Sequence, residues 1–160
     1  MRNDRHNRKL DDDAKSVYGI FDEEKEALTV FMMVGLPASG KSYIAKQLYG
    51  DLPLVSKDLC NGSKAKERKQ LEDLLAEGKD VVVDDTNYNA KNRAEIIGVA
   101  EKYGADVIGV YVKVSKEKAL ERNKVREKKV PAAAIHSIAK NFEEPELSEG
   151  FTKLNVIDND

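Results

Sequence analysis

The order of patterns along this 160-residue chain predicts a three-layer α/β fold, with a mainly parallel central sheet flanked by helices. Three observations carry that expectation. Short apolar runs at 28–34 and 81–84 are apolar on both faces, as strands buried within a parallel sheet are. Stretches of helical period lie between the strand-like runs. Two of those stretches stop at a glycine, Gly50 and Gly104, the residue that most readily ends a helix.

Taken in order, the elements are justified as follows. Residues 1–13 (MRNDRHNRKLDDD) carry mixed charge and few apolar anchors, which predicts a disordered polar tail before a single domain over 14–160. Runs at 16–21 and 28–34 flank a charged pentapeptide, a hairpin pattern whose first strand would lie at a sheet edge. A helix is expected over Lys41–Tyr49 and a short strand over 52–55. Residues 64–77 place Leu71, Leu74 and Leu75 on one face of a charged helix. Val81–Asp84 is strand-like, 90–103 helical and 107–114 strand-like. Ser115 is a candidate N-cap for a helix reaching about residue 128. Pro131 can open the next helix, to about residue 142, and 151–157 closes the sheet.

The bulk chemistry excludes several classes. Lys and Arg number 27 against 29 Asp and Glu, so no global basic field announces a polyanion partner. Cys60 is the single cysteine, so neither an internal disulfide nor a cysteine metal site can form. His6 and His136 lack neighbours at ligand spacing. The first residues contain no apolar signal core, and the apolar run at 28–35 is too short to span a bilayer. A cytoplasmic protein is the expectation.

The most specific motif is Gly35-Leu36-Pro37-Ala38-Ser39-Gly40-Lys41-Ser42, which fits G-x-x-x-x-G-K-[ST] between an apolar run and a helical pattern. Its glycines let the chain curl until successive N–H groups point inward at phosphate oxygens. The helix that follows adds the partial positive charge of its N-terminus. Gly35, Pro37, Ala38, Ser39, Gly40, Lys41, Ser42 and the adjoining Tyr43 are therefore the candidate nucleotide contacts. Lys41 is placed to reach β- and γ-phosphates, and Ser42 to ligate Mg²⁺. Val81-Val82-Val83-Asp84-Asp85 ends a strand in acid, so Asp84 or Asp85 is the second candidate metal ligand.

Three segments together resemble the kinase domain of polynucleotide 5′-hydroxyl kinases. They are the Gly35–Ser42 loop, Asp84-Asp85-Thr86-Asn87-Tyr88-Asn89 followed by Arg93, and Arg122-Asn123-Lys124-Val125-Arg126 followed by Val130-Pro131. The resemblance implies a P-loop kinase fold with a helical lid, ATP and Mg²⁺ as cofactors, and a nucleic-acid 5′ end or a small-molecule hydroxyl as acceptor. It makes Asp58 the general base and Arg122 and Arg126 the lid arginines over the triphosphate. Read as one helix, the segment would also put Arg122, Arg126 and Lys129 on a shared face. Arg93 is expected to bridge the Asp85-Thr86-Asn87 turn and hold Asp85 in place, with contact to an acceptor phosphate the less favoured alternative.

Members with a nucleic-acid acceptor commonly carry arginine where this chain has Asn61, and Lys64, Lys66, Arg68 and Lys69 are candidate replacements. No D-x-D-G-T signature is present, so the 3′-phosphatase activity of two-domain members is not expected of these residues. The ranked expectations are a polynucleotide 5′-hydroxyl kinase, a small-molecule kinase on the same scaffold, and a nucleotide-binding switch or adaptor.

Overall fold

The computed structural model describes residues 27–160. The polar tail, the strand expected over 16–21 and His6 lie outside the described residues. Within them, five strands form one parallel sheet in the order β2-β3-β1-β4-β5. The strands are β1 (Thr29–Val34), β2 (Leu54–Ser56), β3 (Val81–Asp84), β4 (Asp106–Lys113) and β5 (Lys153–Asp158). The helices are α1 (Lys41–Tyr49), α2 (Lys64–Ala76), α3 (Ala90–Lys102), α4 (Lys116–Asn123) and α5 (Ala132–Lys140).

Strand β1 shows why its sequence is apolar without alternation. Val30, Met32 and Val34 pack toward Leu71 and Leu75 of α2 and Ile96 and Ile97 of α3. Phe31 and Met33 pack the other way, onto Ile44 and Leu48 of α1. Each face has a helix partner, so every residue of β1 is buried. Leu48 is wholly buried, and truncating it to alanine should cost roughly 2–5 kcal/mol of stability. Both edges of β1 are bonded, to β3 on one side and β4 on the other.

Several boundaries move for identifiable reasons. Strand β2 starts at Leu54, because the Leu52 N–H is used to close α1 through the Tyr49 carbonyl. Helix α4 stops at Asn123 rather than near residue 128. The Asn123 amide donates to the Val130 carbonyl at 2.7 Å and accepts from the Val130 N–H at 3.1 Å. That pair of bonds folds the chain back after α4 and seats α5 beside it. Leu36, Ala119 and Ile135 form the small core under this helical pair. Because the sheet is parallel, the loops after β1, β2, β3 and β4 all open at one edge, where open α/β sheets bind ligands.

Candidate functional site

The loop between β1 and α1 is held by sequence-distant partners. The Gly35 N–H donates to the Thr86 carbonyl at 3.0 Å, tying the loop to the turn after β3. A Cβ on Gly35 would come within 2.8 Å of both Ser39 Oγ and the Val112 carbonyl, so only glycine fits. Ala38 and Gly40 take positive φ of 64° and 96°, and the Ser39 N–H donates to the Leu36 carbonyl. Pro37 and Ser39 are buried beneath the curl. Ala38, Gly40, Lys41, Ser42, Tyr43, Arg122 and Arg126 border one cavity of about 420 Å³ at the start of α1. Five of the loop and helix positions expected there are thus joined by both lid arginines.

Charge converges on Lys41. Burial lowers its pKa, Asp84 opposes that shift, Arg126 adds to it, and Asp85 and Asp58 oppose it again. All four side chains are therefore close enough to be felt at one ammonium group. Asp84 has its own pKa raised by burial, against the pull of Lys41 and of a hydrogen bond donated by the Ser42 hydroxyl. Its Oδ1 is buried with no hydrogen-bond partner among the described residues. A buried carboxylate oxygen without a partner, next to a serine hydroxyl, is a donor set of the hard-oxygen kind that suits Mg²⁺.

The two aspartates after β3 separate clearly. Asp85 accepts the Lys57 N–H at 2.7 Å and meets Glu67 of α2. Burial, then the hydrogen bond and charge of Glu67, push Asp85 up to about 8. Glu67 is itself only 3% exposed, so this contact lies in the interior, where an unprotonated Asp85 is disfavoured. Asp85 therefore anchors the turn after β2, and that turn carries Asp58. Asp58 is exposed there, and is not the N-cap of α2, a role filled by Ser63.

Arg93 is fully buried and forms a fork on Glu149, with Nε and Nη2 at 2.8 and 3.0 Å from the two carboxylate oxygens. Its Nη1 donates to the Asn87 carbonyl at 2.9 Å. It supports the Asn87 turn directly, with its guanidinium held by Glu149 and not by Asp85. Asn87 itself donates to the Met33 carbonyl at 2.7 Å, locking that turn to β1.

The lid differs from its expected form. With α4 ending at Asn123, Arg126 and Lys129 lie beyond the helix and share no helical face with Arg122. Arg126 nonetheless reaches the cavity from the turn that follows. Arg122 uses Nη1 on the Ser39 carbonyl at 3.3 Å and Nη2 on the Asn159 carbonyl at 2.6 Å.

The basic patch expected beyond Asn61 is largely committed elsewhere. Arg68 bonds Asn92 and Glu95, Lys64 bonds Asn92, and Lys69 pairs with Asp73. Asn61 has φ of 54° and precedes Gly62 at 76°, a left-handed pair in which asparagine is tolerated and arginine is not favoured. Glu67, Glu149 and Asn159 went unrecognised in sequence, because their partners are remote in the chain and no local pattern marks them.

The fold and site together define a P-loop kinase domain. The chain belongs to the AAA-domain family, whose model matches residues 61–145. It is similar to a bifunctional polynucleotide phosphatase/kinase of Schizosaccharomyces pombe, 28% identical over 142 residues, which are 84% of this chain and 35% of that protein. A relative from Acanthamoeba polyphaga mimivirus is 30% identical over 138 residues, 80% of this chain and 32% of its own length. The chain thus spans about a third of these curated relatives. Among solved structures, Chaetomium thermophilum Kti12 in complex with ADP-AlF3 superposes with a TM-score of 0.62 at 20% identity, covering 82% of this chain and 89% of that one. No helix among the described residues is long and apolar enough to cross a membrane.

Proposed function

We propose that this chain transfers the γ-phosphate of ATP to the 5′-hydroxyl of a polynucleotide. The observation that carries the reading is the convergence of Asp84, Asp58 and Arg126 on Lys41 at the mouth of the loop cavity. Phosphoryl transfer is mostly positioning and charge neutralisation, and this cluster supplies both. The loop N–H groups and the Lys41 ammonium bind the phosphates. Ser42 and Asp84 would hold Mg²⁺, which when bound neutralises phosphate charge. Asp58 accepts the proton of the attacking hydroxyl as its oxygen bonds to the γ-phosphorus. The bond from that phosphorus to the β–γ bridging oxygen breaks, and ADP leaves. Arg126 faces the charge gathering on the transferred group.

The polynucleotide acceptor rests on the similarity to polynucleotide kinases. A second reading, a small-molecule hydroxyl acceptor, is favoured by Asn61 and by the engagement of Lys64, Arg68 and Lys69 within the fold. One assay separates the two. The chain is incubated with γ-labelled ATP and Mg²⁺, and offered 5′-hydroxyl oligonucleotides beside a panel of sugars, nucleosides and other metabolites. Label on the oligonucleotide alone supports the first reading. Label on a metabolite alone replaces it with the second, and label on neither removes the kinase reading.

A further inference from the structure

We infer that Asn159, together with Arg122, is a positioning residue for the phosphate cradle, an assignment that rests on the nucleotide-binding reading of the loop. The Ser39 carbonyl accepts two hydrogen bonds from outside the loop. One comes from Asn159 Nδ2 at 2.8 Å, the other from Arg122 Nη1 at 3.3 Å. Arg122 is itself held by the Asn159 carbonyl at 2.6 Å, so the two donors brace each other. Asn159 is fixed in turn, its N–H donating to the Lys113 carbonyl at 2.9 Å. The next residue, Asp160, accepts from both the N–H and the hydroxyl of Ser115. The segment after β5 therefore joins the base of the lid to the loop.

The consequence follows from peptide geometry. In a planar trans peptide the C=O of one residue and the N–H of the next point in opposite directions. Pinning the Ser39 carbonyl toward Asn159 and Arg122 turns the Gly40 N–H the other way, into the cradle. Gly40 has a φ of 96°, and a Cβ there would meet Asn159 Nδ2 at 2.6 Å. The glycine thus serves two needs, the left-handed backbone and the close approach of the carboxamide. Without the latch the Ser39–Gly40 peptide is free to rotate, and one donor of the cradle loses its fixed aim.

The test uses charge-neutral variants, Asn159→Leu and the smaller Asn159→Ala. Calorimetry measures their affinity for ADP, inorganic tripolyphosphate and adenosine, beside the melting temperature. Removing a neutral hydrogen bond of this kind should weaken ADP and tripolyphosphate by about five- to tenfold, with adenosine affinity and melting temperature unchanged. The Gly40 amide resonance of the ligand-free protein should also move, which loss of a mere ligand contact does not cause. A folded variant that binds ADP like wild type, or that loses adenosine equally, overturns the latch. Failure of the wild-type chain to bind ADP at all removes the nucleotide reading, and the latch with it.

Discussion

The loop that cups the phosphates and the turn that carries Asp58 stand at the same edge of the sheet, yet they are built differently. The first is a run of adjacent residues whose chemistry is largely that of its backbone, with Gly35 and Gly40 admitting the curl and Lys41 and Ser42 completing it. The second is assembled from distant side chains. Asp85 accepts from the Lys57 N–H, Glu67 meets the Asp85 carboxyl, and only then does Asp58 have a fixed place. A backbone site can be read from adjacent letters. A side-chain site depends on which residue neutralises which, and that is settled only after folding.

The contrast can be broken most forcefully at Lys41. Lys41→Ala should lower phosphoryl transfer by about 10³-fold or more, while the melting temperature holds, since the buried ammonium is itself costly. Near-normal turnover in a folded variant would take the loop out of the mechanism.

On the other side of the comparison, Asp58→Asn should reduce kcat by about 10²–10⁴-fold and leave ATP affinity intact. If steady-state kinetics instead show a raised KM for ATP at unchanged kcat, Asp58 belongs to the donor side and the division drawn here fails.

A third test asks whether the support beneath both regions is shared. Arg93→Met breaks the buried fork to Glu149 and releases the Asn87 turn, which touches both the loop and the Lys57 turn through its neighbours. Removing one partner of such a pair should cost roughly 3–5 kcal/mol in denaturant unfolding. A loss under about 1 kcal/mol would mean that the ion pair adds little beyond its exposed equivalents.

A subtler change separates the two aspartates. Asp85, raised to about 8, binds a proton in the folded state that it does not hold when unfolded, between about pH 4 and 8. The native state binds more protons across that window, so this pair contributes stability at its lower end and loses it as pH rises through 8. Glu67→Gln removes one charge and should flatten that fall in metal-free protein, with the largest gain in melting temperature near pH 8. A variant with the wild-type pH slope would show that Glu67 is not the partner.

The smallest effect concerns the acceptor. The Lys66 side chain is exposed and has no hydrogen bond or ion pair among the described residues, whereas Lys69 is paired with Asp73. If a polynucleotide crosses this helix, Lys66→Ala should shallow the log–log salt dependence of oligonucleotide binding by about 0.7–0.9, and Lys69→Ala by less. Equal slopes in wild type and Lys66→Ala would favour the small-molecule acceptor.

The sequence by itself determined the alternation of strands and helices, the phosphate loop, the helix start at Ser115 and the strand that ends at Asp84. Each of these is local: a hydrophobic period, a cap or a contiguous motif is decided by neighbours in the chain. Tertiary structure alone decided that Asp84 faces Ser42 while Asp85 faces Glu67, since adjacent residues at a strand end point opposite ways and only packing says where. It also ended α4 at Asn123, because the partner of that carboxamide is the Val130 backbone and no helical propensity reports it. The same holds for Arg122, which borders the cavity while its guanidinium holds the Ser39 and Asn159 carbonyls. Side chains find partners through space, and a hydrogen bond between residues 39 and 159 leaves no period in the sequence to announce it.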